Sequence, residues 1–274
     1  MGDLTRIYTN VRAMQSLSSL QNINKQIGVH QMRLSTGKKI NSAADDPAGY
    51  QLARGLESRT RGLQVALQNV SNAKSVLNVA EGGYQSIMDI LQTVKEKSTQ
   101  AADYTLSDDQ RSALNDQVSA LISEVDDIVG NTTFNGNALI DGTVNAKDFQ
   151  VGEGASDTLS VSLSNSDSSA LSIDSVDLTS QASAAAAITS VSTAIDTLAG
   201  YMQDVGNYQT RLSSKETTLE SAATNTEAVR SSIEDADFAE EQMNVMKLQI
   251  LQQTALSSFS QANSAPQSIL TLFR

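Results

Sequence analysis

The side chains that most often catalyse reactions or bind metals are scarce in this sequence of 274 residues. It contains one histidine, His30, and no cysteine. A Ser-His-Asp triad or a tetrahedral zinc site needs several such groups together, and His30 supplies only one. Packing or hydrogen bonding of His30 between helices is the favoured interpretation. We therefore expect a protein that is not an enzyme and uses no cofactor or metal ion.

Carboxylates offer the other chemistry that the residue types allow. Asp45 and Asp46 are adjacent, and Glu234, Asp235 and Asp237 form a second acidic group. Hard cations such as Ca²⁺ prefer carboxylate clusters, which makes a cation site one interpretation. Acidic residues also cap the free N–H groups at helix starts, and this role or ion pairing is the favoured prediction. In the ion-pairing case, Asp45, Asp46 and Asp235 would pair with Arg33, Lys38, Lys39 or Arg54 of another copy of the chain.

Two short motifs resemble binding or modification signals. The sequence Gly37-Lys38-Lys39 lacks the glycine spacing and the preceding strand of a phosphate-binding loop. Asn131-Thr132-Thr133 matches an N-glycosylation acceptor, a motif that is common by chance. The serines between residues 156 and 183 could carry O-linked sugar, although solvated turns are the preferred interpretation.

The composition excludes several classes of partner. A formal net charge of −12 and 4% aromatic residues disfavour nucleic acid, which requires a basic surface and stacking platforms. No signal-peptide pattern begins the chain, and no run of about 20 apolar residues indicates membrane insertion. We expect protein partners.

The elements that position these residues are mainly helices. Near the amino terminus, apolar residues alternate with spacings of 3 and 4, which is typical of a coiled-coil helix. This stripe contains Leu4, Ile7, Val11 and Met14, and after a phase change Leu20, Ile23, Ile27, His30 and Leu34. The helix should end between residues 35 and 42, where Gly37 can adopt a left-handed conformation.

A heptad repeat predicts a second, longer helix. Its two series are Leu56, Leu63, Val70, Leu77, Tyr84 and Leu91, and Ala66, Ala73, Ala80, Ile87 and Val94. Ser107 and Gln110 match a capping box at the start of the next helix. Helical periodicity returns from Ser183 to Ala223, with Gln209 and Glu216 interrupting the apolar seam, and the chain ends with another apolar-faced helical segment.

The middle of the chain contains the β signals. Asn135-Gly136 and Asp141-Gly142 indicate turns, and alternating apolar residues predict a hairpin around residues 152–154. The predicted fold class is mainly α: an elongated coiled-coil or helical bundle formed by both chain ends, with a small β-hairpin region in the middle.

The two chain ends contain too few apolar seam residues to fold alone. Ordering a residue costs about 1–2 kcal/mol and burying a Leu or Ile returns about 1.5–3 kcal/mol. Since roughly one terminal residue in three is apolar at the seam, we expect these segments to become helical only on assembly. Head-to-tail contacts would then build a filament. The predicted assembly interface consists of Leu4, Ile7, Val11, Met14, Ile23, Ile27, Arg33, Leu34, Asp45, Asp46, Leu248, Leu251, Leu256, Phe259, Leu270, Leu272 and Phe273.

Motifs at both ends resemble those of bacterial flagellins. The segment 33–49, RLSTGKKINSAADDPAG, is similar to the signature that follows their first helix, and TFNG at 133–136 is similar to a turn in their bundle. The carboxy-terminal segments SIEDADFA at 232–239, QILQQTA at 249–255, QANSAPQ at 261–267 and the final LFR resemble the remaining signatures. The likeness covers about the first 140 and the last 95 residues.

The resemblance implies a structural subunit that polymerises into the flagellar filament and enables swimming. It implies an inner coiled-coil domain of residues 1–42 and 235–274, and an outer helical-bundle domain of residues 43–234 with a hairpin around 145–178. The family's large surface domains are expected to be missing. Type III export, an export chaperone, filament cap and hook-filament junction proteins as partners, and an extracellular or periplasmic filament are further expectations.

Three alternatives remain open. A hook-filament junction protein shares terminal helices but differs in its carboxy-terminal signature. An extracellular adhesin or immune-signalling ligand would be a chain with ordered termini that does not polymerise. An enzyme is the least favoured alternative, because His30 has no cysteine or second histidine to act with.

The resemblance also predicts a weak response from vertebrate toll-like receptors. The family's recognised patch typically presents Arg and Leu on one bundle helix and Glu on the next, and the aligned positions here hold Thr93, Lys97 and Gln117. We expect weak signalling in a receptor reporter cell line treated with the purified protein. A strong response would contradict this prediction.

Overall fold

The architecture is taken from a computed structural model that describes residues 9–272, with side chains up to residue 264. The helices in this range are α1 Val11–Thr36, α2 Pro47–Ala101, α3 Asp108–Asn131, α4 Gln181–Glu234 and α5 Phe238–Leu272. The strands are β1 Thr133–Phe134, β2 Asn137–Ala138, β3 Lys147–Gln150 and β4 Thr158–Val161. The mainly α fold class, with a small hairpin in the middle of the chain, is confirmed.

The chain divides into two compact units. One contains residues 1–58 and 225–274, and the other contains residues 59–224. The boundaries predicted from the sequence, 42/43 and 234/235, fall inside the first unit and stay a prediction.

In the first unit, α1 and α5 pack antiparallel. The amide of Asn10 donates to the carbonyl of Ala262 at 2.7 Å, and the amide of Gln252 donates to Asn24 Oδ1 at 2.6 Å. Gly37 ends α1 with a φ of 71°, so the predicted left-handed stop is present. The two helices are therefore held against each other at both of these positions, and α1 has a defined end.

The loops next to this helix pair are joined by main-chain hydrogen bonds. The Lys39 N–H donates to the carbonyl of Glu234 at 2.7 Å, and the Ala236 N–H donates to the carbonyl of Gly37 at 2.9 Å. Lys38 and Asp235 form the centre of this antiparallel bridge. The segment that follows α1 is thus tied to the segment that precedes α5.

The second unit has a core built on the predicted heptads of α2. Both series are buried from residue 63 to residue 94, while Leu56 is half-buried and belongs to the first unit. Val118 and Val125 of α3, and Val191 and Leu198 of α4, are also fully buried in this core. Small alanines alternate with larger residues along α2, which lets its neighbours approach closely.

The two polar interruptions predicted in the α4 seam pair with α2. Gln209 Nε2 donates to Asn78 Oδ1 at 3.0 Å and to Glu81 Oε2 at 2.7 Å. Glu216 accepts from Lys74 Nζ at 2.7 Å. These pairs join α2 to α4 at seam positions where apolar contacts are replaced.

The turn between α2 and α3 is held by a buried arginine. Arg111 donates to three carbonyl oxygens: Ala101 at 3.0 Å, Leu106 at 2.9 Å and Asp103 at 2.7 Å. The predicted capping box is present, because the Ser107 side chain accepts from the Gln110 N–H and the Gln110 side chain accepts from the Ser107 N–H. The capping box and the hydrogen bonds of Arg111 together fix where α3 begins.

The predicted hairpin is formed by β3 and β4, with Phe149 opposite Leu159. At its tip, Gly154 N–H donates to the Asp157 carboxylate at 3.0 Å. A Cβ at Gly152 would lie 2.5 Å from the Asp157 Cβ, so this close approach requires glycine. A second pair, β1 and β2, surrounds Asn135 and Gly136, whose φ values of 51° and 80° are typical of a type I′ turn.

Residues 162–180 are irregular and extend the core. Ile173 and Leu178 in this segment are fully buried. Its backbone is anchored to α3, since Ser168 N–H donates to Asp126 Oδ1 at 2.8 Å and Leu178 N–H donates to Asn115 Oδ1 at 3.0 Å. The interpretation of the serine-rich region as solvated turns is therefore wrong for the buried Ser166 and Ser168, because both support this packing.

One helix in the described range has the length and composition of a membrane span. An 18-residue window of α4 reaches a mean hydropathy of 1.2. The sequence expectation that no segment approaches such a composition does not hold for this window. Buried Ala184, Ala187, Val191 and Ala194 account for part of its apolarity by packing in the core.

Candidate assembly surface on the terminal helices

Helix α1 carries apolar residues on two opposite faces. At about 100° per residue, the exposed Val11, Met14, Leu17, Val29 and Met32 fall within roughly 60° of one direction. The buried Ala13 and Ile27 and the half-buried Leu20, Ile23 and Leu34 lie on the other side of the helix. The second face packs on α5, whereas the first face, the outward stripe of α1, has no cover within the chain's described residues.

Helix α5 repeats this arrangement. Leu248 is buried, and Val245, Ala255 and Phe259 on the same face are half-buried. On the opposite side, Met243, Met246 and Ile250 are spaced at i, i+3 and i+7 and are all exposed. These three residues form the outward stripe of α5. An exposed apolar stripe of this length on a helix indicates a protein contact.

The pairing face of the two helices is polar at one end. Glu241 is buried and accepts from Arg33 Nη1 at 3.3 Å, and it also hydrogen-bonds to His30 Nδ1. The predicted role of His30 as a hydrogen-bonding residue between the terminal helices therefore matches this geometry. The Arg33 guanidinium offsets the charge of the carboxylate and the His30 imidazole hydrogen-bonds to it, which lets Glu241 stay buried.

A second buried carboxylate lies at the end of α4. Glu234 accepts from Lys38 Nζ and from Arg230 Nη1, both at 2.7 Å. The main chain of Glu234 also takes part in the bridge to Lys39. The Lys38–Glu234 ion pair and the bridge thus join the same two segments, whereas the Arg230–Glu234 pair lies within α4.

Of the acidic residues predicted as caps, Asp46 lies at a helix start, whereas Asp45 holds the loop before it. Asp46 Oδ1 accepts from the Ala48 N–H at 3.1 Å just as α2 begins at Pro47. Asp45 Oδ2 accepts from the N–H groups of Ser42 and Asn41, and these bonds lower the pKa of Asp45. The contribution of Asp45 to stability is present above the carboxylate's usual pKa and is lost as the pH falls through its lowered value.

The predicted interface residues whose side chains the structure describes fall into three groups. Ile23, Ile27, Arg33, Leu34, Leu248 and Phe259 lie on the α1–α5 pairing face, Val11, Met14, Leu251 and Leu256 are exposed, and Asp45 and Asp46 are exposed in the loop before α2. Leu4, Ile7, Leu270, Leu272 and Phe273 lie outside the described side chains. The prediction omitted Glu241 and the exposed Leu17, Val29, Met32, Met243, Met246 and Ile250.

The described residues offer little for catalysis. No group of three or more His, Cys, Asp or Glu side chains among them is arranged to hold a metal ion. Asp235 and Asp237, considered above as cation ligands, serve in the main-chain bridge and at the start of α5, where Asp237 accepts from the Ala239 N–H at 2.8 Å. The arrangement supports protein contacts.

Removing the Glu241 carboxylate should weaken the pairing of α1 and α5. In Glu241→Ala, Arg33 and His30 lose their shared partner at a cost of about 1–2 kcal/mol, reduced because both retain some contact with water. If self-assembly requires the pairing of α1 and α5, the critical concentration for polymerisation rises about tenfold. Sedimentation of polymer over a concentration series measures this.

The matched control is Glu240→Ala, which removes the same charge from the first turn of α5 at an exposed position. Its critical concentration should stay within about twofold of the unmodified chain. Equal effects of the two substitutions would show that the loss comes from helix-terminus charge and not from the buried cluster.

Comparisons with known proteins agree with this geometry. Residues 7–145 match the bacterial flagellin N-terminal helical region, and residues 188–273 match the bacterial flagellin C-terminal helical region. A flagellin of Halalkalibacterium halodurans is 31% identical over 244 residues, which is 88% of this chain and 90% of that protein. B-type flagellin of Pseudomonas aeruginosa is 36% identical over 165 residues, 60% of this chain but only 34% of that longer protein.

Among solved structures, a candidate flagellar hook-associated protein from Vibrio parahaemolyticus superposes with a TM-score of 0.59. The match covers 70% of this chain and 100% of that one at 16% sequence identity. At this identity the likeness concerns the fold alone.

Proposed function

The chain belongs to the bacterial flagellin family, and from that premise we propose that the outward stripes of α1 and α5 make the contacts between neighbouring subunits of the flagellar filament. Flagellins are structural proteins and not enzymes. The chain is a subunit that polymerises into the extracellular filament, which enables swimming motility. The proposal concerns which surfaces join the subunits.

The observation that carries the proposal is the two-faced character of both helices. One apolar face of each helix is covered by its partner, and the other, which includes Met14 and Ile250, is exposed. A second copy of the chain supplies the complementary apolar surface, because its own stripes are equally uncovered. Contacts of this kind propagate when the rotation between copies does not close a ring.

The small extent of burial in the helix pair supports coupling between folding and assembly. Among the described side chains of α1 and α5, only Ala13, Ile27, Glu241 and Leu248 are buried. Four buried side chains offset little of the entropy of ordering two helices. The remaining stabilisation comes from neighbouring subunits.

Amide hydrogen exchange should therefore change sharply on polymerisation. We expect residues 5–30 and 240–265 to exchange rapidly in the isolated subunit and to be protected in the filament, because assembly completes their burial. Amides of the buried α2 heptads serve as an internal control, since they should be protected in both states. Strong protection of both terminal segments in the isolated subunit would contradict this coupling.

The finer organisation is part of the same proposal. Residues 1–42 and 235–274 form the inner coiled-coil domain of the filament, and residues 43–234 form the outer bundle with its hairpin. The separate core in residues 59–224 supports an outer bundle within 43–234, although residues 43–58 and 225–234 group with the terminal helices in the first unit. The family resemblance supports a chaperone, a filament cap and hook-filament junction proteins as partners, and a periplasmic filament remains the alternative location.

Seeded polymerisation tests the proposed role of the termini. Purified full-length chain is added to sheared filament seeds and compared with residues 43–234 alone, and electron microscopy measures filament length. Circular dichroism checks that the trimmed chain is folded. Elongation by the full-length chain only is the expected result, and elongation by folded trimmed chain would overturn the assignment of the contacts to the termini.

A further inference from the structure

The methionines of this chain are distributed unevenly. Of the six whose side chains the structure describes, four are exposed and lie in the terminal helices: Met14 is 64% exposed, Met32 57%, Met243 60% and Met246 55%. Met88 is only 8% exposed in the core of the second unit, and Met202 is half-buried. Exposed thioethers therefore concentrate on the surfaces proposed to join subunits.

These four methionines lie on the outward stripes. Met14 and Met32 are 18 residues apart, which is about five helical turns and places both in the same direction on α1. Met243 and Met246 are on the same face of α5 as Ile250. An unbranched thioether suits an apolar contact because it adapts its shape to the partner surface.

Peroxides convert such thioethers into sulfoxides. The sulfur donates an electron pair to one oxygen of hydrogen peroxide and the O–O bond breaks. The proton of the transferred oxygen moves to the second oxygen, which leaves as water. Sulfur is oxidised by two electrons and the peroxide is reduced by two. The product is polar, so burying it at an apolar contact carries a penalty that the thioether does not have.

We propose that Met14, Met32, Met243 and Met246 are oxidation sites through which peroxide stops a subunit from entering the filament. The inference rests on the proposed function of the outward stripes as subunit contacts. Free subunits present the four sulfur atoms to solvent, whereas assembled subunits cover them. Oxidation therefore acts on the pool of free subunits, and the finished filament resists it.

Peroxide treatment of the full-length free subunit, followed by peptide mass spectrometry, tests the chemistry. The four stripe methionines should form sulfoxides on the order of tenfold faster than Met88, whose burial protects it. In filaments treated identically, the rates at the four sites should fall towards that of Met88. Equal rates in free and assembled subunits would overturn the proposal.

Seeded polymerisation of the oxidised subunit tests the consequence. The critical concentration should rise on the order of tenfold or more, because each buried sulfoxide lacks a hydrogen-bond partner. Methionine sulfoxide reductases of both stereospecificities should restore elongation, which separates this modification from irreversible damage. Failure of full enzymatic reduction to restore elongation would overturn the assignment.

Substitutions identify the responsible sites. Each variant is compared with itself before and after peroxide, so its own untreated critical concentration is the reference. In a variant with all four stripe methionines changed to leucine, the critical concentration should change less than about twofold on peroxide treatment. Leucine has a similar size but cannot form a sulfoxide. Met202→Leu, as the control, should remain as sensitive as the unmodified chain. A fully sensitive four-leucine variant would overturn the proposal.

Met14→Gln and Met246→Gln separate this inference from the proposed function. Both place a polar group on a stripe without oxidation. If they polymerise poorly while the fully oxidised chain elongates normally, the oxidation proposal is overturned and the contact surface stands. If both variants and the oxidised chain elongate normally, the stripes are not subunit contacts and both proposals fall.

Discussion

Replacing Ile250 by aspartate raises the critical concentration for polymerisation on the order of 100-fold or more. Ile250 is 68% exposed in the subunit, so the new carboxylate remains hydrated there. At the proposed subunit contact in the filament, the same group would be buried against an apolar surface without a partner, at a cost of about 3–5 kcal/mol. The measurement is the concentration of unpolymerised chain that remains after sedimentation at steady state.

Ser258→Asp is the matched control for Ile250→Asp. It adds the same charge to an exposed position of α5, about 80° around the helix from Ile250. Its effect on the critical concentration should be at least tenfold smaller, because Ser258 is a polar residue that lies outside the apolar stripe. Unchanged polymerisation of Ile250→Asp would place the subunit contact on another surface.

Leu198→Ala destabilises the second unit by about 2–5 kcal/mol. Leu198 is fully buried in α4 within the core that α2 and α3 also form. Truncation removes apolar contacts and leaves a cavity that the surrounding helices fill only in part. Urea unfolding of the free subunit, followed by circular dichroism, measures the change in the transition of this unit.

Val65→Ala is the comparison for Leu198→Ala, since Val65 is an exposed aliphatic residue of α2. This substitution should change the free energy of unfolding of the second unit by no more than about 0.5 kcal/mol. A loss below about 1 kcal/mol for Leu198→Ala would mean that the helices of this unit are not packed as closely as the structure shows.

The helices were predictable because their signals are local and repeated. The heptads of α2 place Val70, Leu77 and Tyr84 in the core, and all are fully buried. Gly37 and the Ser107–Gln110 capping box carry their own conformational preferences, so the corresponding helix ends could also be predicted. The hairpin followed from turn residues and alternating apolar residues.

Contacts between distant parts of the chain could not be predicted in this way. The acceptors of Arg111 are carbonyl oxygens, which every residue provides, so no sequence pattern identifies them. The pairing of Glu241 with His30 depends on the register of α5 against α1. The buried segment 162–180 has no regular period, and its anchoring by Asp126 and Asn115 is long-range.

The candidate interface was only partly accessible from the sequence. Apolar spacing located the residues of α1 and α5 but did not separate the pairing face, with Ile27, from the outward stripe, with Met32. That distinction requires knowing which side of each helix the other one covers. The positions of charged residues did not separate the two faces either, because Glu241 is buried on the pairing face in spite of its carboxylate.

The bridge between residues 37–39 and 234–236 also affects competition between chains. By joining the end of α1 to the beginning of α5, it gives the two helices an effective concentration for each other on the order of millimolar. At lower subunit concentrations, a helix from another chain cannot compete for the pairing face. We therefore expect exchange of terminal helices between subunits to be suppressed, which leaves the outward stripes as the proposed contacts for incoming subunits.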